Sequence, residues 1–369
     1  MSPFRFATAS TILTASVLTL ALSLPQAWAA PQPPPPGRIH YQTWRSGVGT
    51  LGCFSMNADG SGTLSSECGY PTRQVHSARR WFLTRQAVAG SYPNTGTGGY
   101  PPGRAELFAV RDDAGAQVQL TNDAHVQIDT AFRWAFDDAS ITFAAVTWTA
   151  VQSGGNYTDG SGQQWLADAA MFRMPVDWST GTPNGGTPVA VLDTELYFET
   201  AGAEDAFYAR PAIVALDRSP AGNQVAYGHV SNSCGGCAET FVVRVATFAA
   251  GGGVSEITVG PGRRPDWAPN GSRIAYDRYD TQGTVAGIFT VLPSGSSIFQ
   301  VTNGIDRTAH WSPDSAHLTF ERAFSNRQRG GGGSSTVFTY DVMRVPAGGG
   351  SATNLTKTID DNATPTAWR

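Results

Sequence analysis

"PDWAPNGSRIAYDR" occupies residues 265–278, and "AHWSPDSAHLTFER" occupies residues 309–322, 44 positions further on. The two stretches share one plan. An apolar residue and a tryptophan (Trp267, Trp311) end one strand, and "APNG" or "SPDS" supplies the Pro/Asn/Asp/Gly chemistry of a turn. "RIAY" or "HLTF" then alternates side chains as a half-buried strand does. "GIFTVLPSGSS" (287–297) predicts a third strand with its turn, and "IFQVTNG" (298–304) a fourth. One unit is four short strands, and a period of this length marks a repeat architecture.

The same grammar recurs at "FRWAFDDASITFA" (132–144), at "ALDRSPAGNQVAYG" (215–228, without the tryptophan) and in weaker form at "VHSARRWFLTR" (75–85). The second half of the unit recurs at 107–122, 241–258 and 341–356. The ends complement each other. "TPTAWR" (364–369) is the first strand of a unit with nothing after it, while "GRIHY" (37–41) matches "GSRIAY" (271–276) and begins a unit at its second strand. The expected fold is all-β: a six-bladed β-propeller of four-stranded antiparallel blades, its ring closed by the C-terminal strand completing the N-terminal blade. The blades fall at about 37–68 plus 360–369, 71–123, 128–193, 209–260, 262–304 and 306–358. Such closure removes free sheet edges.

With 369 residues, 41% of them hydrophobic and 15% charged, the chain can bury a large core. A net charge of -4, with lysine nearly absent, offers no basic surface for nucleic acid. Arg5, the apolar run "TILTASVLTLALSL" (11–24) and Ala27-Trp28-Ala29 make a signal peptide of residues 1–29, with an uncleaved anchor as the alternative. Residues 30–36 are a proline-rich spacer. We expect an exported monomer, periplasmic or secreted, with no integral membrane span after cleavage. Export makes the cysteines disulfides. Cys53 and Cys68 bracket a hairpin whose turn is "NADGSG", and Cys234 and Cys237 ("CGGC") cinch a Gly-rich loop. A redox centre would need a helix start that this pattern lacks, and a four-Cys zinc site would need both pairs to converge.

"NADGSG", "WSPD", "APNGSRIAY" and the "LT" that ends each unit resemble the TolB-like, WD-repeat-like propeller repeats of bacterial envelope proteins, over roughly 37–369. TolB also carries an N-terminal α/β domain, and this chain has only the spacer there, so the resemblance implies architecture rather than a role in Tol assembly. It also implies that the strand ending in each tryptophan is innermost. The residues just before it then form a funnel inventory: Arg73, Asp129, Arg133, Arg210, Asp217, Arg263, Arg264, Asp266, Asp306, Arg307, His310, Asp360 and Asp361. Converging arginines suit bidentate capture of carboxylates or a peptide C-terminus. The same charges would equally neutralise one another around a wet channel.

Long insertions add candidate surfaces. Residues 147–169 carry Trp148, Tyr157 and Trp165 among Gly, Ser and Gln, which suits a sugar or peptide platform or a loop that packs on itself. Residues 194–210 are acidic and aromatic, and 321–335 read as a mobile, solvated basic loop. Neither G-x-S-x-G, H-E-x-x-H nor a P-loop is present. Of six histidines, His40 and His317 fall at alternating strand positions, His229 follows a strand, and His310 falls on the inner strand. Some TolB-like propellers are polysaccharide lyases holding a metal with several funnel histidines, and His310, joined by His76 or His125, is a thin set for that. Two readings follow. The first is a non-catalytic propeller, without cofactor, that binds an envelope protein, peptide or glycan through its funnel and long loops. The second is a metal-assisted lyase or hydrolase of acidic polysaccharide, with His310 and Asp266 or Asp306 moving the proton.

Overall fold

The computed structural model describes residues 37–45, 49–66, 81–91, 103–111, 116–122, 126–158, 162–201, 206–231, 239–250, 252–280, 284–330, 333–357 and 362–368. All fall in one unit, Pro34–Arg369. The expected leader and spacer, and Cys68, Arg73, His76, His125, Cys234, Cys237, Asp360 and Asp361, lie outside the described residues. Among those described there is no helix.

Strands pair antiparallel in every sheet. The first sheet contains β1 (Ile39–Arg45), β2 (Gly49–Met56) and β3 (Leu64–Ser66). Next come β4 (Trp81–Ser91), β5 (Gly103–Arg111) and β6 (Gln117–Gln119). A third sheet holds β7 (Val126–Trp134), β8 (Ser140–Val151), β9 (Tyr157–Thr158), β10 (Gln164–Asp177), β11 (Asn184–Gly185) and β12 (Val189–Thr194). β13 (Leu196–Ala201) and β14 (Ala206–Pro211) form a separate two-stranded sheet, and Leu196 packs against Val146 and Trp148 of β8. β15 (Ile213–Arg218), β16 (Gln224–Ser231), β17 (Thr240–Phe248), β18 (Val254–Trp267), β19 (Ile274–Tyr279), β20 (Val285–Val291) and β21 (Phe299–Gln300) follow as one sheet. The last sheet is β22 (Asp306–Trp311), β23 (His317–Gly330), β24 (Gly333–Pro346) and β25 (Thr353–Asn354). β26 (Asn362–Trp368) returns to the first sheet, where it pairs with β1, Ala367 opposite His40.

That sheet of seven strands comes from β18. Its first half pairs with β17 and its second half with β19, because no residue separates the two ladders: Pro261 still faces Val242 and Gly262 already faces Arg278. "VALDR" (214–218) lies within the strand β15.

Each repeated motif does a local job. In "APNG" the N–H of Gly271 donates to Ala268 O at 2.7 Å, and in "SPDS" Ser315 donates to Ser312 O at 2.8 Å. Asp138 and Gly222 close the same turn in their units. All four turn-closing residues have left-handed φ, between 59° and 75°, which only glycine adopts without strain. The "LT" signature is a clamp. Val301 N–H bonds Ile288 O at 2.9 Å, while the Thr302 hydroxyl accepts Ile288 N–H at 3.0 Å. Leu120-Thr121 does this to Leu107, and Leu355-Thr356 to Val342.

Alternation then buries one unit against the next. Trp81, Leu83 and Leu107 pack on Phe132, Trp134 and Phe143. Ala131 and Met171 pack on Ile213 and Tyr227, and Ala226 and Val245 on Trp267 and Tyr276. Ile288 meets Trp311 and Phe320, and Val342 meets Ile39, Tyr41 and Trp368. Truncating any one of these buried aromatics should cost about 3–5 kcal/mol.

Candidate functional site

A cavity of about 520 Å³ lies where β7, β15, β18, β22 and β26 meet. Its wall is built by bulges. On β18 the register steps from Arg263 opposite Asp277 to Asp266 opposite Ala275, and on β22 from Arg307 opposite Glu321 to His310 opposite Thr319. The extra residue in each puts Arg264 (φ 47°) and Thr308 (φ 56°) in the left-handed region. That conformation costs a non-glycine residue about 1–2 kcal/mol, and a bulge re-aims its neighbours.

One register position, two residues into the bulge, forms a linked chain of charges. Asp217 Oδ2 accepts the backbone N–H of Trp267 at 2.6 Å, and Asp266 Oδ2 that of Trp311 at 2.9 Å. Arg133 donates from Nε to Leu216 O at 3.0 Å and lies 3.4 Å from Asp217 and 3.9 Å from Asp266. His310 Nδ1 lies 3.3 Å from Asp266 Oδ1. Burial works to raise Asp266, but the His310 hydrogen bond, the charges of His310 and Arg133, and the Trp311 amide outweigh it and hold its pKa low. For Arg133, Asp217 and Asp266 mutual neutralisation prevails.

The arginines nearer the bulges are less committed. Arg264 Nη1 stands 3.4 Å from Asp277 Oδ2, and its side chain is 41% exposed. Asp277 is fully buried, Oδ1 has no hydrogen bond among the described residues, and burial pushes its pKa up to about 6 despite Arg264. Arg307 lines the cavity with a buried Nε that has no hydrogen-bond partner among the described residues. Glu321, facing the same space, is tied by the Thr364 hydroxyl at 2.6 Å. Trp44 and Tyr340 stack at 6.5 Å on the wall.

Other expected residues sit elsewhere. Arg263 stacks over the Phe241 ring, 3.1 Å from its centroid, and reaches Glu239 at 3.4 Å. Asp306 is buried under Arg322, which binds it in two-pronged fashion at 2.7 and 2.8 Å. Asp129 lies on β7 and Arg210 on β14, with side chains outside the described set. Cys53 is disulfide-bonded on β2; the expected partner falls among the residues not described.

Three expectations are corrected. His229 does not follow a strand but sits buried within β16, 3.6 Å from Glu195. Residues 321–330 and 333–335 are not a loop: β23 and β24 pair from His317–Pro346 out to Gly330–Gly333, since Ser, Thr and Val on the return strand sustain the ladder. Residues 147–151 and 164–169 likewise continue β8 and β10 in register, and there Trp148 is buried with Val146, Ala167 and Ala169 instead of offering a platform. Among the described residues, no group of three His, Cys, Asp or Glu could hold a metal, and His310 is the one histidine lining the cavity. The described donors do not fit the metal centre of a lyase.

Sequence reasoning passed over Asp277 and Glu321. Their signal was in the opening pair, where "YDR" and "FER" place a carboxylate before an arginine at matched positions.

No protein family and no curated protein matches the chain. Among solved structures it is similar to a protein assigned as TolB in Agrobacterium tumefaciens, at 13% identity over 89% of this chain and 97% of that one, with a TM-score of 0.48. The periplasmic gluconolactonase PpgL of Pseudomonas aeruginosa shares 10% identity over 89% and 99%, with a TM-score of 0.29. Dipeptidyl peptidase 4 of Porphyromonas gingivalis shares 10% over 86% and 42%, with a TM-score of 0.36. These levels assign no activity to the chain.

Proposed function

We propose that the chain is an exported, non-catalytic β-propeller of six blades, closed into a ring by β26, that holds a ligand in its central funnel. The ligand is an envelope protein, a peptide or a glycan, and no cofactor takes part. The observation that carries this reading is the meeting of five inner strands on one cavity. Pairing register adds to it, placing the far ends of the long β8–β10 and β23–β24 hairpins at the end where the inner strands begin. In the test, a photo-reactive phenylalanine analogue is placed at Tyr340 on the wall, or at the exposed Phe299 on an outer strand, and the protein is illuminated in the intact cell envelope. Adducts from position 340 and not from 299 support funnel recognition; adducts from 299 alone overturn it.

The His310–Asp266 contact favours a second reading, proton transfer on an acidic polysaccharide. Asp266 is already spent on Trp311, which weighs against it. Uronate polymers left intact by the purified protein, with or without divalent metal, would end that reading.

A further inference from the structure

We propose that Arg264 and Arg307 form a subsite for the terminal carboxylate of a peptide whose C-terminal end enters the cavity. This rests on the funnel being the binding site and names what it takes.

The first support is the uneven fate of charge. Carboxylates facing the cavity are occupied, Asp266 by Trp311 and His310 and Glu321 by Thr364. The two cations are held more loosely. Among the described residues Arg264 makes one ion pair, to Asp277 at 3.4 Å, longer than the roughly 2.7–2.9 Å of a well-made charged hydrogen bond. Arg307 has no ion pair among the described residues, although it lines the cavity. A guanidinium carries five donors in a planar fork that matches a carboxylate.

The repeat itself explains why these two arginines face inward. Arg307 corresponds to Arg263, whose guanidinium is parked over Phe241 and near Tyr279. The counterpart of Tyr279 in the next unit is Ala323, which has no ring to hold the guanidinium. Arg264 has no cationic counterpart; Thr308 stands there. The left-handed bulge then sets Arg264 on the cavity wall. Strain of this kind persists where the surroundings demand it, often at binding sites.

The rest of the wall favours a peptide over a glycan. Phe132, Val214, Leu216 and Pro365 are apolar and accept side chains. A sugar would need a polar partner for each buried hydroxyl, and Asp266 already accepts from Trp311 and faces His310. The volume lies within the roughly 300–1,000 Å³ of small-ligand pockets, enough for a chain end of a few residues.

The test uses the whole purified protein and two pools of random N-acetylated pentapeptides, one ending in a free carboxylate and one in a carboxamide. Retention is read by mass spectrometry. The free-acid pool should be retained about tenfold or more over the amide pool, the loss expected for a charged, two-pronged hydrogen bond. Arg264→Gln combined with Arg307→Gln should erase the difference. The wild-type comparison stands even if that variant does not fold. Equal retention of both pools, blocked by filling the cavity with Thr366→Trp, overturns the carboxylate subsite and leaves funnel binding intact. Retention of oligogalacturonate but of neither peptide pool overturns the peptide assignment and also leaves the funnel reading. If no probe is retained, the subsite is refuted; if position 340 also gives no adduct, funnel binding falls with it.

Discussion

The Asp217 carboxylate accepts the backbone N–H of Trp267 at 2.6 Å, so a side chain of one unit fastens the first strand of the next. Asp266 repeats the device on Trp311 at 2.9 Å, and Arg133 reverses its polarity by donating to Leu216 O at 3.0 Å. Charge at this cavity is therefore first a means of joining neighbours.

Asp217→Ala should destabilise the protein by about 1–3 kcal/mol, the cost of a buried N–H left unsatisfied. Asp217→Asn, which keeps an acceptor, should cost less. Denaturant melts of the two variants measure this, and equal stabilities would contradict the clasp.

Asp277 provides a test of opposite sign. Burial lifts its pKa to about 6, so the folded state favours the protonated acid. Its contribution to stability is full below about pH 4 and is lost as pH rises through 6. Asp277→Asn should stabilise the protein at pH 8 by up to about 3 kcal/mol, and the gain should vanish at pH 4. A difference independent of pH between the two melts would refute this.

His229 should make the protein acid-sensitive. Burial, helped by nearby Arg244, lowers its pKa, with Glu195 opposing. The fold holds the neutral ring, so this stability is present above the ordinary value near 6.5 and falls away as pH drops below it. Replacing the ring by His229→Gln should flatten the fall in melting temperature between pH 7.5 and 5. A slope equal to wild type would assign acid sensitivity to other groups.

Gly271 closes its turn at φ 73°. Gly271→Ala should cost about 1 kcal/mol through the left-handed backbone, seen as a modest drop in melting temperature. No drop would mean the turn has relaxed.

Much of the fold was legible because each unit writes its turn and alternation in the same letters. "APNG" and "SPDS" mark the β18–β19 and β22–β23 turns, and "TPTAWR" was recognisable as a first strand in need of a sheet, which it finds beside β1. Strand length was not legible. The Gly-rich composition of 321–335 suggests a loop, yet β23 supplies a ladder to extend, and pairing overrides local propensity. In the site, Arg133, Asp266 and His310 were found because they hold one register position. That Arg263 and Asp306 turn away depends on Phe241 and Arg322, which lie 22 residues before and 16 after them and reach them only through sheet pairing.

The most direct test is hydrogen exchange on the protein cut after residue 359, which removes β26. Ala363 and Trp368 would leave the cluster shared with Ile39, Tyr41 and Val342. If the C-terminal strand closes a ring, amide protection should fall in β1–β2 and also in β4–β5 and β22–β23, with a large drop in melting temperature. Loss confined to β1–β3, with the other strands as protected as before, would show that no ring depends on that strand.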